Sequence, residues 1–166
     1  MTLSRAATFG PRIAALSLFA LAAVASHGQG RFTASADGQE VTDTTTRLTW
    51  RRCAEGLRWD GKACGGKLAK FSYAAAKQQA ASAAKSDGKA WRIPGKDELV
   101  ALVDMARKKP HIDAQAFPQT PSAPFWATRE GSNDNLNAWL VSFANGKVRG
   151  NVGQANFPLR LVRSGS

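Results

Sequence analysis

The side chains of this chain that could do chemistry are two cysteines, scattered carboxylates and histidines, and a large set of arginines. Cys53 and Cys64 are its two cysteines. In an exported chain, which the N-terminal sequence indicates, two cysteines normally form a disulfide and not a metal site. We therefore predict a structural Cys53–Cys64 bridge, which in the chain-entropy model stabilises the fold by about 3 kcal/mol. A redox role would need a closer pair in an activating setting.

No catalytic group emerges from the remaining residues. His27 lies in the expected flexible leader, and His111, beside a predicted helix end, is typical of a surface or capping residue. The spacing of the carboxylates brings no two of them together as acid and base. No phosphate-binding glycine loop and no zinc-ligand spacing is present. We therefore predict a protein that is not an enzyme, with no metal and no cofactor.

Binding chemistry is better represented, because several arginines lie beside aromatic residues or on predicted neighbouring strands. Arginine binds sulfate and carboxylate through two parallel hydrogen bonds, and tryptophan offers sugars an apolar face. The other tryptophans are expected in the core, whereas Trp59 lies in the loop between the cysteines. The predicted ligand-binding residues are Arg51, Arg58, Trp59, Arg149, Arg160 and Arg163. This prediction requires that the last three arginines point to one face.

The charge of the chain points to anionic partners. The formal net charge is +11, and it falls to +9 when Arg5 and Arg12 leave with a signal peptide. A protein this basic favours acidic polysaccharide, lipid head groups or nucleic acid. A basic surface that only keeps the domain in solution explains the same composition, so composition alone leaves both interpretations open.

The first 25 residues have the pattern of a secretory signal peptide. A basic start precedes an apolar run over 13–25, which ends in the small residues Ala23-Val24-Ala25. The alternative is an uncleaved membrane anchor, but the run is shorter than the ~20 residues that a spanning helix needs. We expect residues 26–166 to form a single domain with a short flexible leader at 26–30. No later segment is expected to span a membrane.

The periodicity of the mature chain predicts an α+β fold, with two helices between N-terminal strands and a C-terminal antiparallel sheet. The predicted helices cover 68–86 and 96–108, the second beginning after Pro94 with Asp97 and Glu98 in its first turn. Asn145-Gly146 is a strong hairpin signal. Strands are predicted at 32–34, from Val41, and at 48–50, 91–94, 125–128, 138–143, 147–149 and 157–162, and 53–66 is predicted to be a loop.

Six motifs, in order along the mature chain, resemble the Lcl C-terminal domain family. They are 41–50, Cys53…Trp59-Asp60-Gly61…Cys64, Trp91-Arg92-Ile93-Pro94…Glu98-Leu99, 112–126, 138–146 and 159–163. The resemblance implies a C-type-lectin-like fold, with two helices packed on antiparallel sheet, in an exported bacterial protein of the periplasm or cell exterior. The member that gives the family its name binds sulfated glycosaminoglycans through a basic surface. Its collagen-like stalk is absent here, so its trimer is not implied and the oligomeric state stays open.

Three functions are compatible with these residues. The first is an exported, non-catalytic binding module that recognises an anionic glycan or another cell-envelope component. The second is a structural or assembly protein that docks an envelope protein. The third, an enzyme similar to the formylglycine-generating enzymes, is disfavoured because both cysteines lie early in the chain. Calcium-dependent sugar binding is disfavoured because the lectin tripeptides are missing, and no nucleic-acid partner is expected.

Overall fold

The computed structural model describes residues 30–129, 138–150 and 155–165, which contain two helices and nine strands. The fold is α+β, with antiparallel sheets and one disulfide, as predicted. Within these ranges neither helix has both the length and the apolar character that crossing a membrane requires. The elements are β1 Phe32–Ala34, β2 Glu40–Asp43, β3 Leu48–Arg51, β4 Leu57–Trp59, β5 Cys64–Gly66, α1 Tyr73–Asp87, α2 Lys96–Val100, β6 Pro124–Thr128, β7 Ala138–Ser142, β8 Val148–Gly150 and β9 Val162–Ser164.

The strands form three antiparallel sheets. The first has the order β1-β2-β3-β9, so the C-terminal strand returns to the N-terminal strands, with Val162 opposite Trp50. The second is the hairpin β4-β5, and the third has the order β6-β7-β8. The predicted turn at Asn145-Gly146 joins β7 to β8, and Gly146 has a φ of 68°, a conformation that glycine adopts without strain.

The β6-β7-β8 sheet has an apolar core on each face. Phe125 and Val141, opposite each other, belong to the core that also contains Trp50 and the buried side of α2. Trp126 and Leu140 point the other way, into the core beneath α1. Of the tryptophans predicted to be in the core, Trp50, Trp91 and Trp126 are buried and Trp139 is half-buried.

Helix α1 begins later than predicted. Phe71 exchanges both backbone hydrogen bonds with Phe157, at 3.0 Å each, so the chain before Ser72 is extended. Ser72 is the N-cap, its hydroxyl accepting from Ala75 N at 3.3 Å, and Gly88 closes the helix with a φ of 64°. The fully buried residues of α1 are the alanines Ala76, Ala80 and Ala83, so the helix backbone lies close to the core.

Helix α2 is five residues long, so the prediction that it continues to Lys108 was wrong. Leu102 N and Val103 N bond to carbonyls three residues back, a tightening that ends the helix. Asp104 N then donates to His111 O at 3.0 Å, which draws the chain into a loop. Arg107 pairs with Asp104 and Asp113 at 2.9 and 2.7 Å and does not cap a helix.

Two predicted strands are absent from the described chain and one unpredicted hairpin is present. Residues 91–94 and 157–161 make single bridges, Arg92 to Val162 and Phe71 to Phe157. The carbonyls of residues 158, 159 and 161 accept from three separate segments, so no continuous ladder forms. The loop between the cysteines instead contains β4 and β5, with Trp59 opposite Cys64.

Candidate functional site

The six predicted ligand-binding residues do not form one site. Arg51 and Arg58 line one cleft, with Arg163 beside it and Trp59 on the neighbouring hairpin. Arg149 lies in a separate groove on the β6-β7-β8 sheet. Arg160 is inside the protein. The condition that the three C-terminal arginines share one face is therefore not met.

Arg160 is fully buried and holds backbone segments together. Its Nη1 donates to the carbonyls of Arg51, at 2.8 Å, and Arg52, and its Nη2 donates to Thr120 Oγ1 at 2.7 Å. The guanidinium lies 4.8 Å from the ring centre of Phe117. Burial lowers the pKa of Arg160 to about 9. Because no part of this side chain reaches solvent, we leave Arg160 out of any ligand site.

The disulfide hairpin carries Arg58 and Trp59. The Cys53–Cys64 bridge predicted from the sequence is present, with the two Cα atoms 5.6 Å apart. The Trp59 ring is stacked against Arg52, whose guanidinium carbon lies 3.7 Å from the ring centre. Gly38 abuts its other atoms so closely that a Cβ there would lie 2.4 Å from Trp59 Nε1. Trp59 therefore helps to fix the hairpin, and one face of its ring is already occupied.

A cleft of about 640 Å³ separates the hairpin, strands β2 and β3, and the end of α1. We call it the Trp91 cleft, because Trp91 lies at its base. Its lining includes four carboxylates and three cations among the described residues. These are Asp37, Glu40, Glu55, Asp87, Arg51, Arg58 and Lys89.

Most cations in and beside the Trp91 cleft already have carboxylate partners. Arg51 and Arg163 lie on the Trp91 ring, 5.2 and 5.5 Å from its centre. Arg51 binds Asp87 at 2.6 Å, and Asp87 also accepts from Trp91 Nε1 at 2.8 Å. Arg163 binds Glu40 at 2.6 Å, and Lys89 binds the other oxygen of that carboxylate. An anion would have to displace these carboxylates.

The pKa of Glu40 reflects this arrangement. Burial pushes the pKa of Glu40 upward, but hydrogen bonds from Lys89 and Arg163 hold it below its ordinary value. The same balance applies to Asp87, where burial is outweighed by the hydrogen bond from Ser86 and the charge of Arg51. Both groups are therefore ionised at neutral pH and neutralise their arginines.

Glu55 is the exception among the cleft carboxylates. Its side chain is 3% exposed, its Oε2 accepts from Gln79 Nε2 at 2.7 Å, and its Oε1 has no hydrogen-bond partner within the ranges that the structure describes. Arg51 Nε lies 3.8 Å from Oε1, beyond hydrogen-bond range. Burial raises the pKa of Glu55 above its ordinary value. The sequence around Glu55 contains no signal for this, because its burial comes from residues distant in the chain.

A second concave region lies at the end of the β6-β7-β8 sheet, on the face that also carries α1. We call it the β8 groove. It has a volume of about 230 Å³ and is lined by Pro124, Leu140, Ser142, Asn145, Lys147, Arg149 and Phe157. Leu140 lies opposite Arg149, and Pro124 opposite Ser142, so these four side chains share the face. The Phe157 ring packs edge-on against Trp126, 5.2 Å between centres.

In its described lining, the β8 groove carries two cations and no carboxylate. Lys147 and Arg149 are exposed, and neither forms an ion pair within the part of the chain that the structure describes. No carboxylate occurs among its described lining residues. Sequence reasoning found Arg149 but missed Lys147 and Phe157. The alternation across the Asn145-Gly146 hairpin could have identified Lys147, since it places residues 147 and 149 on one face.

Within residues 30–129, 138–150 and 155–165, no group of three or more histidine, cysteine or acidic side chains is arranged to hold a metal ion. Exposed cations also occur along the disulfide hairpin and just after it, and none of these makes an ion pair in the described ranges. They are Arg58, Lys62, Lys67 and Lys70.

Comparison with known proteins gives one match. The model of the family described as the Lcl C-terminal domain matches residues 39–163, which include the disulfide, the described lining of the β8 groove and that of the Trp91 cleft except Asp37. No curated protein and no solved structure matches the chain.

Proposed function

The chain belongs to the Lcl C-terminal domain family, and from this premise we propose that it is an exported, non-catalytic binding module for an anionic glycan of the cell envelope. The family is one of unknown function, so the ligand has to be argued from this chain. A C-type-lectin-like fold is part of the proposal. The two helices, antiparallel sheets and single disulfide are compatible with it.

The observation that carries the proposal is the composition of the β8 groove. Two exposed cations, Lys147 and Arg149, lie beside an apolar floor of Pro124, Leu140 and Phe157. A sugar ring has an apolar C–H face that packs on such a floor, while its sulfate or carboxylate accepts hydrogen bonds from arginine in pairs. With no carboxylate in the described lining, these cations need not give up a partner to bind an anion.

The disulfide hairpin supplies a second contact for a polymeric ligand. Arg58, Lys62 and Lys67 are exposed cations on a segment that the Cys53–Cys64 bridge holds in place. Two cationic regions on one domain bind a long polyanion more strongly than either alone, because the second contact is intramolecular. The Trp91 cleft is a weaker candidate for a polyanion, since carboxylates already neutralise Arg51, Lys89 and the adjacent Arg163.

Export is supported by the sequence and by the disulfide. The signal peptide at 1–25 and the leader at 26–30 are a sequence prediction, and 1–29 lie outside the described residues. Structural disulfides persist in oxidising compartments, so the Cys53–Cys64 bridge favours the periplasm or the cell exterior.

Chromatography on heparin, with a matched charge control, tests this function. The groove variant is Lys147→Gln with Arg149→Gln, and the control is Lys108→Gln with Lys109→Gln, two exposed lysines that make no ion pair in the described chain. Both variants lose two positive charges. We expect the groove variant to elute at clearly lower salt than the control variant. Equal elution of the two variants, or elution of the wild type below physiological salt, would overturn the proposal.

One observation favours the alternative of an assembly protein. Strand β8 is an edge of its sheet as far as the structure describes it, all three of its residues are exposed, and Val148 is 38% exposed. An exposed edge strand can accept a strand from a partner protein. If Val148→Lys abolishes association with envelope fractions while the groove variant leaves it intact, the docking function replaces glycan binding.

A further inference from the structure

Glu55 is a buried carboxyl group in which one of the two oxygens accepts a hydrogen bond in the described chain. Gln79 satisfies Oε2, whereas Oε1 has no hydrogen-bond partner among the described residues, although the side chain is 97% buried and lines the Trp91 cleft. Leaving a buried polar atom without a partner costs free energy, so such atoms in folded proteins generally have a reason.

Arg51 lies near Glu55, but its guanidinium binds Asp87 and the Trp91 ring. Its Nη2 binds Asp87 at 2.6 Å and its guanidinium lies on the Trp91 ring, while its Nε stays 3.8 Å from Glu55 Oε1. Arg51 is 31% exposed, so its Nε side can move outward while the bond to Asp87 is kept. The cleft therefore has an acceptor that no described side chain satisfies.

The same cleft also contains a cation that forms no ion pair with a carboxylate in the described chain. Arg58 lines it from strand β4, is exposed, and makes no ion pair in the ranges that the structure describes. The residue opposite Arg58 on β5 is Gly65, so no side chain covers it from the paired strand. A volume of about 640 Å³ is that of a small-molecule site.

We propose that the Trp91 cleft binds a small zwitterion, such as an amino acid or a short peptide, with its ammonium group on Glu55 Oε1 and its carboxylate on Arg58. The ammonium supplies the donor that Oε1 lacks, and the carboxylate supplies the acid that Arg58 lacks. The four carboxylates of the lining disfavour a polyanion here, so this ligand differs from the one proposed for the β8 groove. The Trp91 cleft and the β8 groove share no lining residue in the described chain, and Arg58 is the one cation that belongs to both the cleft and the hairpin contact of the polyanion.

Isothermal titration calorimetry with three matched probes tests the proposal. The probes are trialanine, N-acetyl-trialanine, which lacks the ammonium, and trialanine amide, which lacks the carboxylate. We expect trialanine to bind and each blocked form to bind at least tenfold more weakly. Absence of trialanine binding at millimolar concentration, or equal binding of the N-acetylated form, would overturn the proposal.

Two variants locate the ammonium contact. Glu55→Gln keeps the shape and is expected to weaken trialanine binding at least tenfold while leaving elution from heparin unchanged. Asp97→Asn, at an exposed carboxylate outside the cleft, is expected to change neither. Unchanged trialanine binding by Glu55→Gln would refute the assignment. Because heparin elution is measured separately, failure of this proposal and failure of the proposed function are distinguishable.

Proton release gives a readout that a structural role for Glu55 would not produce. The charged groups around Glu55 are Arg51 from β3, Asp87 from α1 and Arg160 from the buried segment before β9. Burial raises the pKa of Glu55, and a bound ammonium lowers it again. Near that pKa, binding of trialanine is expected to release a proton, seen as a binding heat that depends on the buffer. A buffer-independent heat throughout the acid range, or the same release in Glu55→Gln, would contradict the proposal.

Discussion

The Trp91 cleft and the β8 groove both place arginine beside an aromatic ring, yet they have opposite electrostatic character. In the cleft region, Arg51 and Arg163 are held by Asp87 and Glu40. In the groove, Arg149 has no acidic neighbour in the described lining. An arginine next to a tryptophan is therefore not by itself an anion site. What decides its role is whether the fold brings a carboxylate to it.

The difference also separates stabilising residues from candidate binding residues. Ion pairs that are partly buried and share hydrogen bonds contribute to stability when their geometry is good, whereas exposed single charges contribute little. Arg163 is 17% exposed at its side chain and belongs to the first class. Lys147 and Arg149 belong to the second, so their removal is expected to affect ligand binding and leave the fold intact.

The strongest test of this separation compares a buried arginine with a groove arginine. Arg160→Met removes three hydrogen bonds of a fully buried guanidinium, two to carbonyls and one to Thr120, and should lower the free energy of unfolding by about 3–5 kcal/mol. Arg149→Met should change it by less than about 0.5 kcal/mol. Urea denaturation measures both, and similar losses would show that the two arginines do not differ in role.

The disulfide tests whether the hairpin wall of the cleft is structurally separate from the groove. Replacing Cys53 and Cys64 by alanine should cost about 3 kcal/mol, because the bridge constrains the unfolded chain. Heparin retention that depends on Lys147 and Arg149 should persist below the lowered melting temperature. If the variant without the disulfide no longer binds heparin at all while it is still folded, the polyanion contact lies on the hairpin alone.

The Glu40 ion pairs provide the next smaller effect. Glu40→Gln leaves Lys89 and Arg163 without their common carboxylate, and we expect a loss of about 1–2 kcal/mol after discounting for partial exposure. The lowered pKa of Glu40 means that its contribution is present at neutral pH and is lost as pH falls below its unfolded pKa. Thermal melts at pH 7 and pH 3 should therefore differ less for Glu40→Gln than for the wild type. If the change in melting temperature between pH 7 and pH 3 is the same for both proteins, the ion pairs of Glu40 are solvated and contribute little to stability.

Glu55 should show the opposite pH dependence and the smallest effect. Its raised pKa means that the folded state holds this proton more tightly than the unfolded chain, so its contribution is present at low pH and is lost as pH rises through the folded pKa. Glu55→Gln should consequently be slightly more stable than the wild type at pH 7 without ligand. Urea denaturation at pH 7 measures this difference. If Glu55→Gln is less stable than the wild type, the carboxyl group of Glu55 is not left unsatisfied in the folded state.

Much of the local structure could be predicted because it depends on neighbouring residues. The hairpin at Asn145-Gly146 and the helix end at Asp87-Gly88 follow from turn and cap chemistry. Helix α2 was predicted too long, since its apolar spacing continues past Val100 while the chain does not. The backbone hydrogen bond from Asp104 N to His111 O turns the chain into a loop at this point, although the apolar spacing predicts that the helix continues.

The sequence by itself determined the α+β class, the Cys53–Cys64 pair, most strands and membership of a family, because these depend on short-range patterns and ordered motifs. Only the tertiary structure decided which charges are free. Glu40 neutralises Arg163 from 123 positions away, and Arg160 donates to Arg51 across 109 positions. Alternation along one strand carries no information about such partners. Burial and neutralisation are therefore properties of the folded chain, and they separate the Trp91 cleft from the β8 groove.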